Sequence, residues 1–302
     1  MIRCNGQLLI LIFMACSMGL IGEHAGAQQG GVKRELLVVP AADQIQIVKT
    51  KDGSKFLGRI TEVRKNDIQF KTKLMSLAIP IRSIKEITVV PRKQIKSGEY
   101  WFENPNATRL LFAPTARMLK KGEGYFSDYY LFFPGVAYGV SDNVTIGGGV
   151  SVFPFVGLEN QLFYFTPKIG LPAVGKVKLA AGALLFKIPD FDDGGSPLVG
   201  ILYGVGTVGS TDQSLTFGLG YGFVDNDLAE KPMVMIGGEK RLSRKIALVS
   251  ENWVIPGADQ PLVSYGVRFF GEKLSVDLAF LSTIGDDMFF SGIPYIDFVM
   301  NF

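Results

Sequence analysis

Between about residue 107 and the end of the chain, apolar residues alternate with small or polar ones at every second position, the side-chain period of a β-strand. In 213–224, Leu215, Phe217, Leu219, Tyr221 and Phe223 share one side, and Ser214, Thr216, Gly218, Gly220 and Gly222 the other. Val263, Tyr265, Val267 and Phe269 stand against Ser264, Gly266, Arg268 and Phe270; Leu274, Val276, Leu278 and Phe280 stand against Ser275, Asp277, Ala279 and Leu281. The pattern predicts twelve strands: 107–117, 125–140, 144–154, 161–171, 176–188, 197–208, 213–224, 232–242, 245–256, 261–270, 273–283 and 293–302. Each is close to, or longer than, the roughly 9–11 residues a tilted strand needs to cross a bilayer.

The connections alternate in length. Tight turns fall at 141–143, 173–175, 209–212, 243–244 and 271–272; longer loops fall at 119–124, 155–160, 189–196, 225–231, 256–260 and 285–292. Nearly every mid-strand charge lies on the polar side. That sorting is required of a lipid-facing wall, where a charge at the midplane costs about 2–4 kcal/mol.

The final strand, from Ile293 to Phe302, places Ile296, Phe298, Met300 and Phe302 on one face and Tyr295, Asp297, Val299 and Asn301 on the other. A terminal Phe preceded by apolar residues at alternate positions resembles the last strand of bacterial outer-membrane β-barrel proteins. Residues 100–302 as a whole resemble porin-like members of that group, by architecture and by the terminal Phe; no substrate motif is matched. The resemblance implies that Phe298, Met300 and Phe302 form the assembly signal read by the barrel-assembly machinery. It also implies that outer-membrane lipid surrounds the wall, with tight turns in the periplasm and long loops outside.

Residues 36–98 carry a different pattern. Strand-like runs at 45–48, 56–63, 68–72 and 77–90 are divided by turns, with Asp52-Gly53 in the first. Their order resembles the small five-stranded barrels of the Sm-like or SH3-like kind. The fold class is therefore all-β: a small five-stranded barrel, a connector at 99–106 in which Trp101 and Phe102 suit a membrane surface, and a twelve-stranded transmembrane barrel over 107–302.

Composition sharpens this picture. The chain is 47% apolar with 36 glycines and 23 phenylalanines, and its mean hydropathy is +0.25. Residues 36–98 hold 13 Lys/Arg against 5 Asp/Glu, whereas 99–302 hold 15 against 21. Residues 1–27 read as a secretory leader, with Arg3, an apolar run over 8–21 and Ala25-Gly26-Ala27 before a polar lead at 28–35. Cleavage there removes Cys4, Cys16 and His24, the chain's two cysteines and single histidine. That excludes a Cys nucleophile, a Ser–His pair, an ordinary zinc site and disulfides. No enzyme activity, cofactor or metal is expected. An envelope location leaves no nucleic-acid partner for an Sm-like part. Its basic charge points to anionic lipid, cell wall or a periplasmic protein, or to a solvated face with no ligand.

Two motifs are set aside. Gly218-x-Gly220-x-Gly222 lies inside a strand with no helix after it, which rules out a dinucleotide loop. Asp190, Asp192 and Asp193 open like a calcium loop, but Ile201 stands where its bidentate Glu belongs, and an exposed acidic loop is expected.

The candidate site is a set of lumen-lining charges: Arg109, Lys168, Lys178, Glu251, Arg268, Asp277 and Asp297. The tight turn at 271–272 puts Arg268 diagonal to Asp277, with Lys168 and Lys178 across the barrel. Two outcomes follow. Either the charges set a transverse field in a narrow aqueous pore, or they pair and close the lumen. The expected function is a narrow channel for small solutes. The alternative is a scaffold whose basic domain tethers cell wall or a partner.

Overall fold

The structure is a computed structural model that describes residues 36–189, 195–283 and 292–302. The leader, the polar lead, the acidic loop at 190–194 and residues 284–291 lie outside the described residues. The chain divides into two compact units, up to Phe102 and from Glu103 onward.

The first unit is an antiparallel sheet of β1 (Gln44–Thr50), β2 (Lys55–Val63), β3 (Asp67–Thr72), β4 (Ser76–Pro80) and β5 (Ile84–Pro91), in the order β4-β3-β2-β1-β5. One face buries Val48, Ile60, Ile68, Phe70, Ile79, Ile84 and Ile87. Gly58 pairs with both Gln46 and Thr72, and a Cβ there would meet the Lys71 carbonyl oxygen at 2.2 Å, so the strands close up only around a residue without one. Gln46, fully buried, accepts a hydrogen bond from the Ile60 N–H and donates to the Val38 carbonyl. Beyond the sheet, Lys96 sits 4.5 Å from the centre of the Trp101 ring.

The second unit is a closed antiparallel barrel. Among the described residues its twelve strands are β6 (Gly124–Tyr129), β7 (Phe133–Ser141), β8 (Val144–Val150), β9 (Phe163–Phe165 and Lys168–Val174), β10 (Val177–Lys187), β11 (Leu198–Gly209), β12 (Gln213–Val224), β13 (Met233–Ser243), β14 (Ile246–Val254), β15 (Leu262–Phe270), β16 (Leu274–Thr283) and β17 (Ile293–Asn301). Each pairs with its sequence neighbour, and β17 closes on β6 from Asp297↔Tyr129 to Asn301↔Tyr125. At that seam the Phe302 N–H donates to the Gly124 carbonyl at 3.0 Å, so the chain end, the start of β6 and the tight turns share one end of the barrel.

Two predicted strands are corrected. Residues 107–117 form no strand of the wall; they lie inside the barrel. Residues 125–140 form two strands, because the chain reverses at Tyr130 and Leu131, both with positive φ (55° and 66°). The number of strands is twelve because one is lost and one is gained.

Leu215, Phe217 and Leu219 face outward and are about half exposed, while Thr216 and Arg268 face inward and are fully buried. An apolar wall of this kind is stable only in lipid. Asp128 departs from the sorting: it shares the outward face with Phe298 and Met300, and its Oδ1 accepts the Phe133 N–H at 3.2 Å.

Candidate functional site

The lumen holds a plug, residues 103–117, which precede the first barrel strand. Its one internal ladder contact is the bridge between Arg109 and Pro114, which folds 109–114 into a hairpin. Leu110, Leu111, Ala113 and Ala116 on the plug pack against Ala180, Val205, Met235, Val249, Ala279 and Tyr295 on the wall. Gly237 makes room for it, since a Cβ there would meet Leu110 Cδ1 at 2.5 Å.

Such a hairpin carries backbone N–H and C=O groups into a space where water is scarce, and each needs a partner. Wall side chains supply them. Glu251, 1% exposed, accepts the N–H groups of Leu111, Phe112 and Ala113 on Oε2 at 2.9, 3.0 and 2.9 Å, while its Oε1 accepts Trp253 Nε1 at 2.8 Å. One carboxylate thus caps the apex of the plug.

Lys168 serves the opposite polarity. Its Nζ donates to the carbonyls of Thr108, Thr115 and Arg117 at 3.2, 3.2 and 2.7 Å, using all three ammonium donors.

Arg268 is the hub. Nε and Nη2 donate to the two oxygens of Asp277 at 2.7 Å each, and Nη1 donates to Glu239 Oε2 at 2.8 Å. Nη1 and Nη2 also reach the carbonyls of Asn106 and Leu110 at 2.9 and 2.6 Å. The guanidinium is fully buried between two carboxylates and the plug backbone. Asn104 donates to Glu239 at 2.7 Å and Asn106 to Asp277 at 3.3 Å, so the acids that hold Arg268 also hold the plug. Arg109, itself on the plug, pairs with Asp297 on β17 at 2.5 Å and lies 4.5 Å from the centre of the Tyr129 ring.

The structure therefore brings together Arg109, Lys168, Glu251, Arg268, Asp277 and Asp297, all on or around one buried segment. Lys178 is not among them: it lies near the tight-turn end of β10 and is exposed. Arg268 and Asp277 are directly opposite each other rather than diagonal. Phe298 and Met300 lie on the outward face of β17, and Phe302 packs its ring over Gly124 at the seam. Glu239, Asn104 and Asn106 were not singled out in the sequence. The signal for Glu239 was its inward position, two residues from both Gly237 and Arg241; the signal for the asparagines was a polar Asn-Pro-Asn after an aromatic triplet.

No protein-family model matches the chain, and no curated protein matches it. Solved structures similar to it include outer-membrane proteins. Omp33 of Acinetobacter baumannii is 10% identical, over 60% of this chain and 95% of that one, with a TM-score of 0.34. A loop-deletion mutant of OmpT of Vibrio cholerae is 12% identical over 86% and 96%, at 0.32. OccK5 (OpdH) of Pseudomonas aeruginosa is 8% identical over 86% and 95%, at 0.30. The outer-membrane β-barrel fold stands on the closed ladder and the apolar outer wall.

Proposed function

We propose that the protein is an outer-membrane channel held shut, a narrow path for small solutes when residues 103–117 leave the lumen. The observation that carries this reading is the way the plug is held. Wall side chains grip it, while among the described residues no strand of the wall pairs with it in a ladder. It is a separate piece within a wall that closes without it. The plug continues directly into residues 36–102, whose basic part we place in the periplasm. There a cell-wall polymer, an anionic lipid or a periplasmic protein bound to 36–98 would pull on the plug through the chain. Nucleic acid has no part in this reading, and neither does catalysis: after residue 27 the chain has no histidine or cysteine.

A second reading is a scaffold that anchors the basic domain. The burial of the clamp favours it, because withdrawing the plug takes from Lys168 its three carbonyl acceptors, from Glu251 the three N–H donors on its Oε2 and from Arg268 its plug carbonyls. Planar-bilayer recording separates the two. The channel reading expects a silent wild type and discrete conductance from Glu251→Gln and Lys168→Met barrels that still migrate as folded bands. Folded variants that stay as silent as the wild type would leave the anchor.

A further inference from the structure

We infer that the β3–β4 hairpin is a membrane-contact finger: its tip, Leu74 and Met75, enters a bilayer surface that carries anionic phospholipid, and the cations beside it meet the head groups. Leu74 is 88% exposed and Met75 57%. Single exposed apolar residues are ordinary, but here two adjacent ones are held out together at the end of a tight turn.

The turn is satisfied from within. The Thr72 N–H and hydroxyl both donate to the Met75 carbonyl, at 2.9 Å each, and the Thr72 hydroxyl oxygen accepts the N–H groups of Leu74 and Met75 at 3.2 and 3.0 Å. Carrying the tip out of water therefore strands neither N–H group.

Charge selects the surface. Lys73 lies in the turn and Lys71 just before it. Lys71 stands directly opposite Arg59 on β2, and Lys55 on β2 stands opposite Lys49 on β1. Lys55 and Arg59 are an even number of residues apart on one strand, so both pairs share a face of the sheet. Like charges directly opposite on neighbouring strands are destabilising, and an anionic partner offsets that cost. Arg59 donates to the carbonyls of Pro40 and Ala42, neutral acceptors that leave its charge in place. Between Asp67 and Glu86 the chain carries Lys71, Lys73, Arg82 and Lys85 and no acid. Nearby acids are engaged locally. Asp52 accepts the Thr50 hydroxyl and the Ser54 N–H within its own turn, Glu62 pairs with Arg64 at 2.9 Å, and Glu86 stands opposite Lys49 on β5.

A soluble polyanion would answer the lysines and leave Leu74 and Met75 in water. A neutral bilayer would take the two apolar side chains and not the lysines. A bilayer with anionic lipid answers both. A membrane is at hand, because the same chain forms a lipid-facing barrel from β6 onward. The inference rests on the periplasmic placement of 36–98 and names the partner met there.

Leu74→Cys, on a chain with no cysteine after residue 27, carries the environment-sensitive dye NBD to the tip. With the full-length barrel inserted in vesicles, its emission should brighten and move to the blue as phosphatidylglycerol replaces phosphatidylcholine. Lys71→Gln with Lys73→Gln should lower the ratio of lipid-bound to water-exposed dye roughly thirtyfold at low salt. A dye on Met75→Cys is the second reporter, and one on Lys65→Cys, in the turn after β2, should stay in water at every composition. Tip dyes that stay in water up to pure phosphatidylglycerol, or that move as far in pure phosphatidylcholine, would overturn the inference. So would tip dyes that move when polyglutamate is added to phosphatidylcholine vesicles, or equal movement of the dye at position 65. The dye reads lipid contact and planar-bilayer recording reads conductance, so this inference and the channel reading fail separately.

Discussion

Arg268 and Asp277 face each other across β15 and β16 and are joined by two hydrogen bonds of 2.7 Å, Nε to Oδ1 and Nη2 to Oδ2. The pair is fully enclosed, and the same guanidinium holds Glu239 and two plug carbonyls. Removing one member of a buried ionic network costs far more than the network contributes on balance, because the other members stay buried without their charge partner. Arg268→Met is therefore expected to lower unfolding stability by about 3–5 kcal/mol. Arg268→Lys, which keeps the charge but not the fork, should fall between. Urea unfolding of the refolded barrel, followed by gel shift, measures both.

The two lysines expected to line one wall should behave differently. Lys168→Met takes the ammonium donor from three plug carbonyls, of which that of Thr108 still accepts the Thr115 N–H, a loss of about 1–3 kcal/mol. Lys178→Met removes an exposed side chain and should stay within about 0.5 kcal/mol of wild type. Equal effects in the same unfolding measurement would mean that Lys168 does not hold the plug.

At the seam, the Phe302 ring lies where a Gly124 side chain would be, 2.6 Å from an added Cβ. Deleting Phe302 should reduce the fraction of protein that assembles, and Gly124→Val should do so too although it leaves the chain end intact. Heat-modifiability of freshly assembled protein reads the fraction. Normal assembly of Gly124→Val would assign the role of Phe302 to recognition alone.

Cysteine substitutions test orientation on a background without native cysteine after residue 27. Cysteines replacing Asp227 or Glu230, in the long loop after β12, should react with an impermeant maleimide on intact cells. Cysteines replacing Asp142 or Lys273, at tight turns, should react only after the outer membrane is opened. The reverse pattern would invert the barrel.

Much of the wall was legible because its period is physical. A residue faces either lipid or lumen, so Phe217 against Thr216, or Val267 against Arg268, declares its side in the sequence. The two misread stretches broke that rule for separate reasons. Leu110 to Ala113 is apolar without alternation because a hairpin inside a barrel meets wall on several sides, and such a run reads like a buried strand. The reversal at Tyr130-Leu131 lacks the Gly, Asn or Asp that positive φ usually demands, so nothing in the sequence marks it. The luminal charges could be found by parity, but not their partners. Glu251 is satisfied by N–H groups 138–140 residues away, and backbone groups carry no sequence signature.

The plug doubles back on itself. Asn104 rests on Glu239, four residues before the end of β13, and the Lys121 N–H reaches Asp142 in the tight turn after β7. The apex at Leu111 to Ala113 lies further in, on Glu251. The chain therefore goes in and comes out through the same mouth and never runs through the ring from side to side. Nothing is threaded. The ring can shut before the loop is seated or after it, and the loop can be withdrawn without a free end and without reopening the seam. A folded domain earlier in the chain and a closed cylinder later in it are no topological obstacle, and what keeps the loop in the cylinder is the chemistry of the side chains that hold it.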